Sequence, residues 1–366
     1  MQTTTLQAIE AIPVSIPMRH PIKWARGEIN KIDHVIVVIR LSNGVEGIAD
    51  AAPRPTVYGE TQQSIVAIIE RHLAPRLVGI NAYDTAHATR LMSEIVGNLA
   101  GKAAIDLALH DAQAKSLGIS CAELLGGSPR PVPLNWRIRS TKQEDVLAEA
   151  ERMMARYGFR ALKVKCGLDT RTDLAVLRAL RRQIGDAIEI SVDMNQSYTP
   201  ELLMEVLPAL EDLDIALIEE PLPARHGRGK LLVAQKSSIA FTGDDSCTML
   251  DDVRDELELG ALRSVVIKCV RTGYTISREI LALTKAFHCA VHNGSNADMH
   301  ICSLASAHFA CIYETQHAHE MSYFADECVC LIDQEIEIRE GCMIIPDRPG
   351  IGVALDAEKL AKYRLD

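Results

Sequence analysis

Five charged residues recur along the chain about one strand and one helix apart: Lys165, Asp193, Glu219, Asp244 and Lys268. The steps between them are 28, 26, 25 and 24 residues. Three carboxylates brought together in a partly buried site repel strongly, and a divalent cation relieves that repulsion. Hard oxygen donors favour Mg²⁺, with Mn²⁺ as an alternative ion. Asp193, Glu219 and Asp244 are therefore the candidate metal ligands. Lys165 comes before the acids and Lys268 after them, so the two lysines would flank the ion from opposite sides. A lysine partly removed from water near another cation can act as a general base. Lys163 lies on the same strand face as Lys165 and is a source of such repulsion. Together these groups suit removal of the proton α to a carboxylate, with the metal stabilising the enediolate.

Those steps have meaning only if a regular scaffold brings the residues to one place. Short apolar runs supply it: VPLNW (132–136), ALKVKC (161–166), IEISVDMN (188–195), IALIEE (215–220), IAFTGDD (239–245), SVVIK (264–268), CAVHN (289–293) and a weaker run near HAHEMS (317–322). Amphipathic helical patterns separate them. Eight strands alternating with helices predict a (β/α)8 barrel, whose active site sits at the C-terminal strand ends, where the charged residues fall. Asn195 and Asp245 stand beside the acids and are expected to support them, as is Lys163. In the EE and DD pairs, Glu220 and Asp245 are expected to point away from the ion by strand alternation.

Residues 1–125 read as a separate α+β unit and 126–366 as the barrel. HVIVVIRLSNGVEGIADA (34–51) predicts a hairpin turning at Ser42-Asn43-Gly44. LAGKAAIDLALHDAQAKSLG (99–118) predicts a helix capped by Gly118. ELLGGSPRPVP (123–133) reads as the boundary. The net charge of −10 leaves no basic footprint for nucleic acid, and the 4% aromatic content offers no stacking platform for single strands. No apolar run is long enough to span a bilayer, and the N-terminus lacks the blocks of a signal peptide. The ten cysteines form no CxxC pair and read as small buried hydrophobes of a reducing, cytoplasmic setting.

ALKVKCG, SVDMNQSY, LIEEPLP, TGDDSC and VVIKCVRTG, in this order, resemble the enolase superfamily in its muconate lactonizing enzyme subgroup. KAAIDLALHDAQAKSLGISCAELLGG, LASAHF and IIPDRPGIGVALDAEKLAKYR extend the resemblance over essentially the whole chain. It implies an enolase-type modified TIM barrel under an N-terminal capping domain, with the C-terminal tail returning toward that domain. It also implies Mg²⁺, acid/base roles for Lys165 and Lys268, and a small carboxylate substrate. Relatives are usually homo-oligomers. The loops that would close the barrel mouth lie near 20–31 and 50–61, making Trp24, Arg26, Arg54 and Tyr58 candidate substrate contacts. An arginine there could hold a second carboxylate. His292, Asp298 and Glu320 are further candidates, His292 as an additional acid. Three departures stand out: Asp50 where relatives commonly carry Glu, GDDS in place of ADES, and a seventh strand ending in HNGSNADMH. Paired lysines make a racemase or epimerase of an amino-acid-like carboxylate the first expectation. A muconate-type cycloisomerase and a syn-dehydratase are the alternatives.

Overall fold

The computed structural model describes residues 3–24, 27–327 and 329–365. Arg26 and the side chain of Trp24 lie outside what it describes.

The N-terminal unit is a three-stranded antiparallel sheet, β1 (Leu6–Trp24), β2 (Gly27–Leu41) and β3 (Glu46–Ala51). The expected hairpin is present, with Val35 opposite Ala51 and Arg40 opposite Glu46. The described residues of 20–31 are not an open loop but the end of the β1–β2 ladder, where Ile22 faces Ile29 and Trp24 faces Gly27. Helix Leu99–Leu117 packs on this sheet and is buried at nearly every position from Ala100 to Ala114, with Gly118 as its left-handed cap at φ 70°. Its run of alanines lets the backbones approach closely. A Cβ on Gly47 would stand 2.0 Å from the Ala108 carbonyl oxygen and 2.6 Å from the Ala112 nitrogen.

Seven short strands form one parallel sheet in chain order. They are β5 (Trp136–Arg137), β6 (Ala161–Lys165), β7 (Glu189–Asp193), β8 (Ile215–Glu219), β9 (Ala240–Gly243), β10 (Ser264–Ile267) and β11 (Ala290–Asn293). Helices lie between them, as the barrel pattern requires. Two expectations change in detail. VPLNW splits: β4 (Val132–Pro133) leaves the barrel and pairs with β13 (Cys342–Met343), itself paired with β12 (Ile338–Arg339), so only Trp136–Arg137 enters the barrel. The eighth strand is a single bridge, Leu134 to His319. The amide of Asn135 donates to the His319 carbonyl and that of Glu320 to the Asn293 carbonyl, so residues 319–320 close the gap between β5 and β11.

Several contacts join the cap to the barrel. Asp50 accepts from His34 Nδ1 at 2.9 Å and from the Cys302 amide at 2.9 Å, at the start of helix His300–Ala310. Asp106 accepts from the amides of Tyr274 and Thr275 at 2.6 and 3.1 Å, just after Gly273, whose φ is 64°. The C-terminal tail returns to β1, where the Leu365 amide donates to the Pro13 carbonyl. Among the described residues, no helix is long and apolar enough to cross a membrane, and the nine described cysteines are unpaired.

Gly47→Ala drives a methyl into the helix backbone and should cost about 3 kcal/mol in urea unfolding. His300, His308 and His319 are buried, and burial holds their rings at about 4, 4 and 3. Two of them must stay neutral, because the Ala122 and Asn293 amides donate to Nδ1 of His308 and His319. The unfolded chain takes up these protons near pH 6.5 while the folded chain refuses them, so stability rises with pH between about 4 and 6.5. Each ring should add about 1.4 kcal/mol per pH unit within that window, read from denaturation midpoints. His300→Gln and His308→Gln should flatten the slope.

Candidate functional site

Register places the first three charged residues side by side. Lys165 lies opposite Asp193, and Asp193 opposite Glu219. Asp244 and Lys268 each follow the last residue of their strands, β9 and β10. All five line one cavity at the C-terminal mouth of the barrel, together with Lys163, Asn195, Asp245 and Glu320. The cap contributes Arg54 and Val57 from the loop after β3.

The charges alternate. Lys165 Nζ sits 2.5 Å from Asp193 Oδ2 and 3.0 Å from Asn195 Oδ1. Lys268 Nζ donates to Asp244 Oδ2 at 2.6 Å. Lys163 is 3% exposed and donates to Glu219 Oε2 at 2.6 Å and to Glu320, with Asp193 Oδ2 at 3.3 Å. Lys163 is thus not a bare like charge beside Lys165, as the KVK spacing suggested, but the centre of a carboxylate cage. Despite its burial, Glu219, Glu320 and Asp193 hold its ammonium well above the ordinary lysine range. Lys268 is likewise buried, and Asp244 raises it rather than lowering it.

The three acids suit a cation in kind and in electrostatics. Burial and the adjacent Asp193 push Glu219 well above the usual carboxylate range, so the site carries repulsion that a positive ion would relieve. All three present oxygen donors to one cavity. Among the described residues, no group of three or more His, Cys, Asp and Glu side chains is gathered closely enough to enclose an ion as it stands. Each of these acids holds a lysine instead, and long flexible lysine side chains can yield to a metal. The donor set fits a divalent ion on Asp193, Glu219 and Asp244.

Supporting groups divide differently from the strand-alternation expectation. Glu220 does turn away: its Oε2 accepts the Asp244 and Ser246 amides at 2.8 and 3.0 Å and so sets the Asp244 backbone. Asp245 does not, because β9 has ended at Gly243 and period two no longer applies. It lines the cavity and accepts from Gln196 Nε2 at 2.8 Å. Asn195 and Gln196 take left-handed backbone, φ 41° and 63°, which turns the chain over the mouth.

The substrate candidates also separate. Arg54 and Glu320 line the cavity. Tyr58 does not; its hydroxyl lies 3.3 Å from Asn296 Oδ1 and from Arg271 Nη1. His292 is not brought to the cavity. It is level with Val266, and its Nδ1 lies 3.3 Å from the Ser264 hydroxyl at the start of β10, deeper in the barrel. Burial and Lys163 keep its ring neutral. Asp298 is fully buried behind the cavity and accepts the Asn296 amide at 2.8 Å, and burial with Asp50 nearby pushes it up to about 7. The sequence reading passed over Arg271, which donates to Asp244 Oδ1 at 3.1 Å, and Tyr323, whose ring lies 5.4 Å from the Arg137 guanidinium. An arginine inside the otherwise uncharged CVRTG was a usable signal for the first; nothing marked the second.

Removing Lys163 leaves buried carboxylates uncompensated. Lys163→Met should lower stability by about 3–5 kcal/mol in metal-free denaturation. A loss under 1 kcal/mol would mean that water, not Lys163, balances these acids.

Residues 8–126 match the family model "Mandelate racemase / muconate lactonizing enzyme, N-terminal domain", and residues 145–359 match "Enolase C-terminal domain-like". Muconate cycloisomerase 1 from Pseudomonas putida is 30% identical over 377 residues, 99% of each chain. A chloromuconate cycloisomerase from Cupriavidus necator is 28% identical over 368 residues, 98% of each. A muconate lactonizing enzyme from Mucobacterium smegmatis, solved in complex with muconolactone, superposes at a TM-score of 0.96, with 35% identity over 99% of this chain and 100% of that one. These relatives are isomerases, and enzymes of this type use a divalent metal and act on small carboxylates. Barrel, cap, charge order and full-length likeness agree: the chain is an enolase-superfamily isomerase of the mandelate racemase / muconate lactonizing enzyme family, in its muconate lactonizing subgroup.

Proposed function

We propose that the chain is a cycloisomerase of the muconate type, forming a lactone from an unsaturated dicarboxylate. The observation that carries this is full-length similarity, at a TM-score of 0.96, to a muconate lactonizing enzyme solved with muconolactone. It supports this reading better than the racemase or epimerase expectation, which paired lysines alone had favoured. An L-Ala-D/L-Glu epimerase from Clostridium acetobutylicum is also similar, 28% identical over 263 residues, but over only 71% of this chain. That keeps epimerization as the second reading.

In this reading Asp193, Glu219 and Asp244 hold Mg²⁺, or Mn²⁺ in its place. When bound, the ion supplies positive charge beside a substrate carboxylate and stabilises negative charge building there. The chain's own residues do the rest. A carboxylate oxygen at one end of the diene forms the ring C–O bond. The π-electron pair shifts to the carbon α to the other carboxylate, and a lysine ammonium completes the new C–H bond. Lys165, held by Asp193 and Asn195 at the cavity wall, takes the proton-carrying role. Lys268, on Asp244 across the cavity, supplies charge and the opposite proton position. Lys163 donates to Glu219 and Glu320 and so holds both in place beneath the substrate. The reading also takes the enzyme as a cytoplasmic homo-oligomer.

The test is ¹H NMR in D₂O with Mg²⁺ and cis,cis-muconate. Muconolactone carrying one deuterium α to its free carboxylate is expected, with chelator abolishing turnover and Mg²⁺ or Mn²⁺ restoring it. Lys165→Ala should lower kcat by at least about 10²-fold. No lactone, but α-deuterium exchange in N-acyl amino acids or dipeptides, would restore the epimerase reading.

A further inference from the structure

Arg54 stands apart from every other cation of the cavity. Lys163, Lys165, Lys268 and Arg137 each face a carboxylate within 4 Å. Arg54, among the described residues, has only the carbonyl of its neighbour Pro53, at 3.5 Å. A partly buried guanidinium with no carboxylate in direct contact is costly, and its five donors in a fixed fork match a carboxylate. Burial pulls it below its ordinary range, and Tyr323, Asp298 and Tyr58 offset this only in part.

Its position is built rather than incidental. The Arg54 carbonyl accepts from the amides of Val57, Tyr58 and Gly59 at 3.1, 2.8 and 3.2 Å, so the arginine sits at the root of a tight loop. The Tyr58 hydroxyl joins that loop to Asn296 and Arg271 on the barrel. Arg54 therefore hangs from the cap over the same cavity whose floor carries Lys165, Lys268 and the three acids. It also borders a second cavity beside Lys31 and His34.

We infer that Arg54 is the distal-anion subsite: it binds a second carboxylate at the far end of the substrate and selects dicarboxylates over monocarboxylates. The inference builds on the cycloisomerase reading, but it is tested by binding as well as turnover. The probes are adipate and hexanoate, saturated six-carbon chains with two carboxylates and one, titrated calorimetrically with Mg²⁺ present.

Wild type should prefer adipate. Arg54→Met should weaken adipate by about 10- to 100-fold, the loss of a hydrogen-bonded ion pair, and leave hexanoate within about threefold. Arg54→Lys should recover part of the loss. With cis,cis-muconate the effect should fall on KM more than on kcat. An unchanged melting temperature guards against misfolding. Equal binding of both probes by wild type, or equal weakening of both by Arg54→Met, overturns the inference. Adipate selectivity without lactone formation would sustain the Arg54 subsite and sink the cycloisomerase reading instead.

Discussion

Everything at the barrel mouth depends on one constraint: buried like charges must be separated by opposite ones. Glu219, Asp193 and Glu320 cannot all ionise beside one another in a low-dielectric interior without a cation among them. Lys163 meets that requirement from within a strand. Lys165 and Lys268 do the same at the two flanks. Such a network is a poor source of stability, because desolvating each ion costs several kcal/mol and the mutual attraction roughly returns it. Its presence speaks for chemistry that needs charge held at fixed points before substrate arrives.

The fold supplies those fixed points with little material. Register alone aligns Lys165, Asp193 and Glu219, so three functional groups share a level without any loop to order. Where the strands end, other devices take over. Glu220 binds the Asp244 amide, and Arg271 grips its side chain. Asp50 and Asp106 perform the analogous task between cap and barrel, each a carboxylate satisfying backbone amides on the other unit. Asp50 reaches Cys302 directly, so the shorter acid at the end of β3 is a close contact with the helix start.

Legibility in the sequence followed the same division. The five charged residues were readable because a βα unit has a narrow range of lengths and a strand has period two. Asp245 defeated the second rule, since β9 stops one residue before the pair. His292 kept the inward parity that the rule assigns, but parity gives no depth, and the stagger of barrel strands drops its ring to the level of Ser264. Arg54 and Tyr58 share the loop after β3, yet only the folded structure separates the one that enters the cavity from the one that anchors the loop. The first strand was overestimated because part of its apolar run joins a small sheet with the tail, and the eighth because it makes a single bridge.

Six interfaces of the barrel are strand ladders, whereas the closure between β11 and β5 rests on a few amides around His319 and Glu320. A ladder resists insertion, because a one-residue slip reverses every side chain along it. A seam of single bridges has no register to lose. Glu320 and Tyr323 stand beside this seam, so a change of backbone there disturbs no ladder, although Glu320 itself is tied to Lys163 on the catalytic floor. The joint with the fewest backbone bonds is thereby the one where the barrel can be reshaped without a change of register.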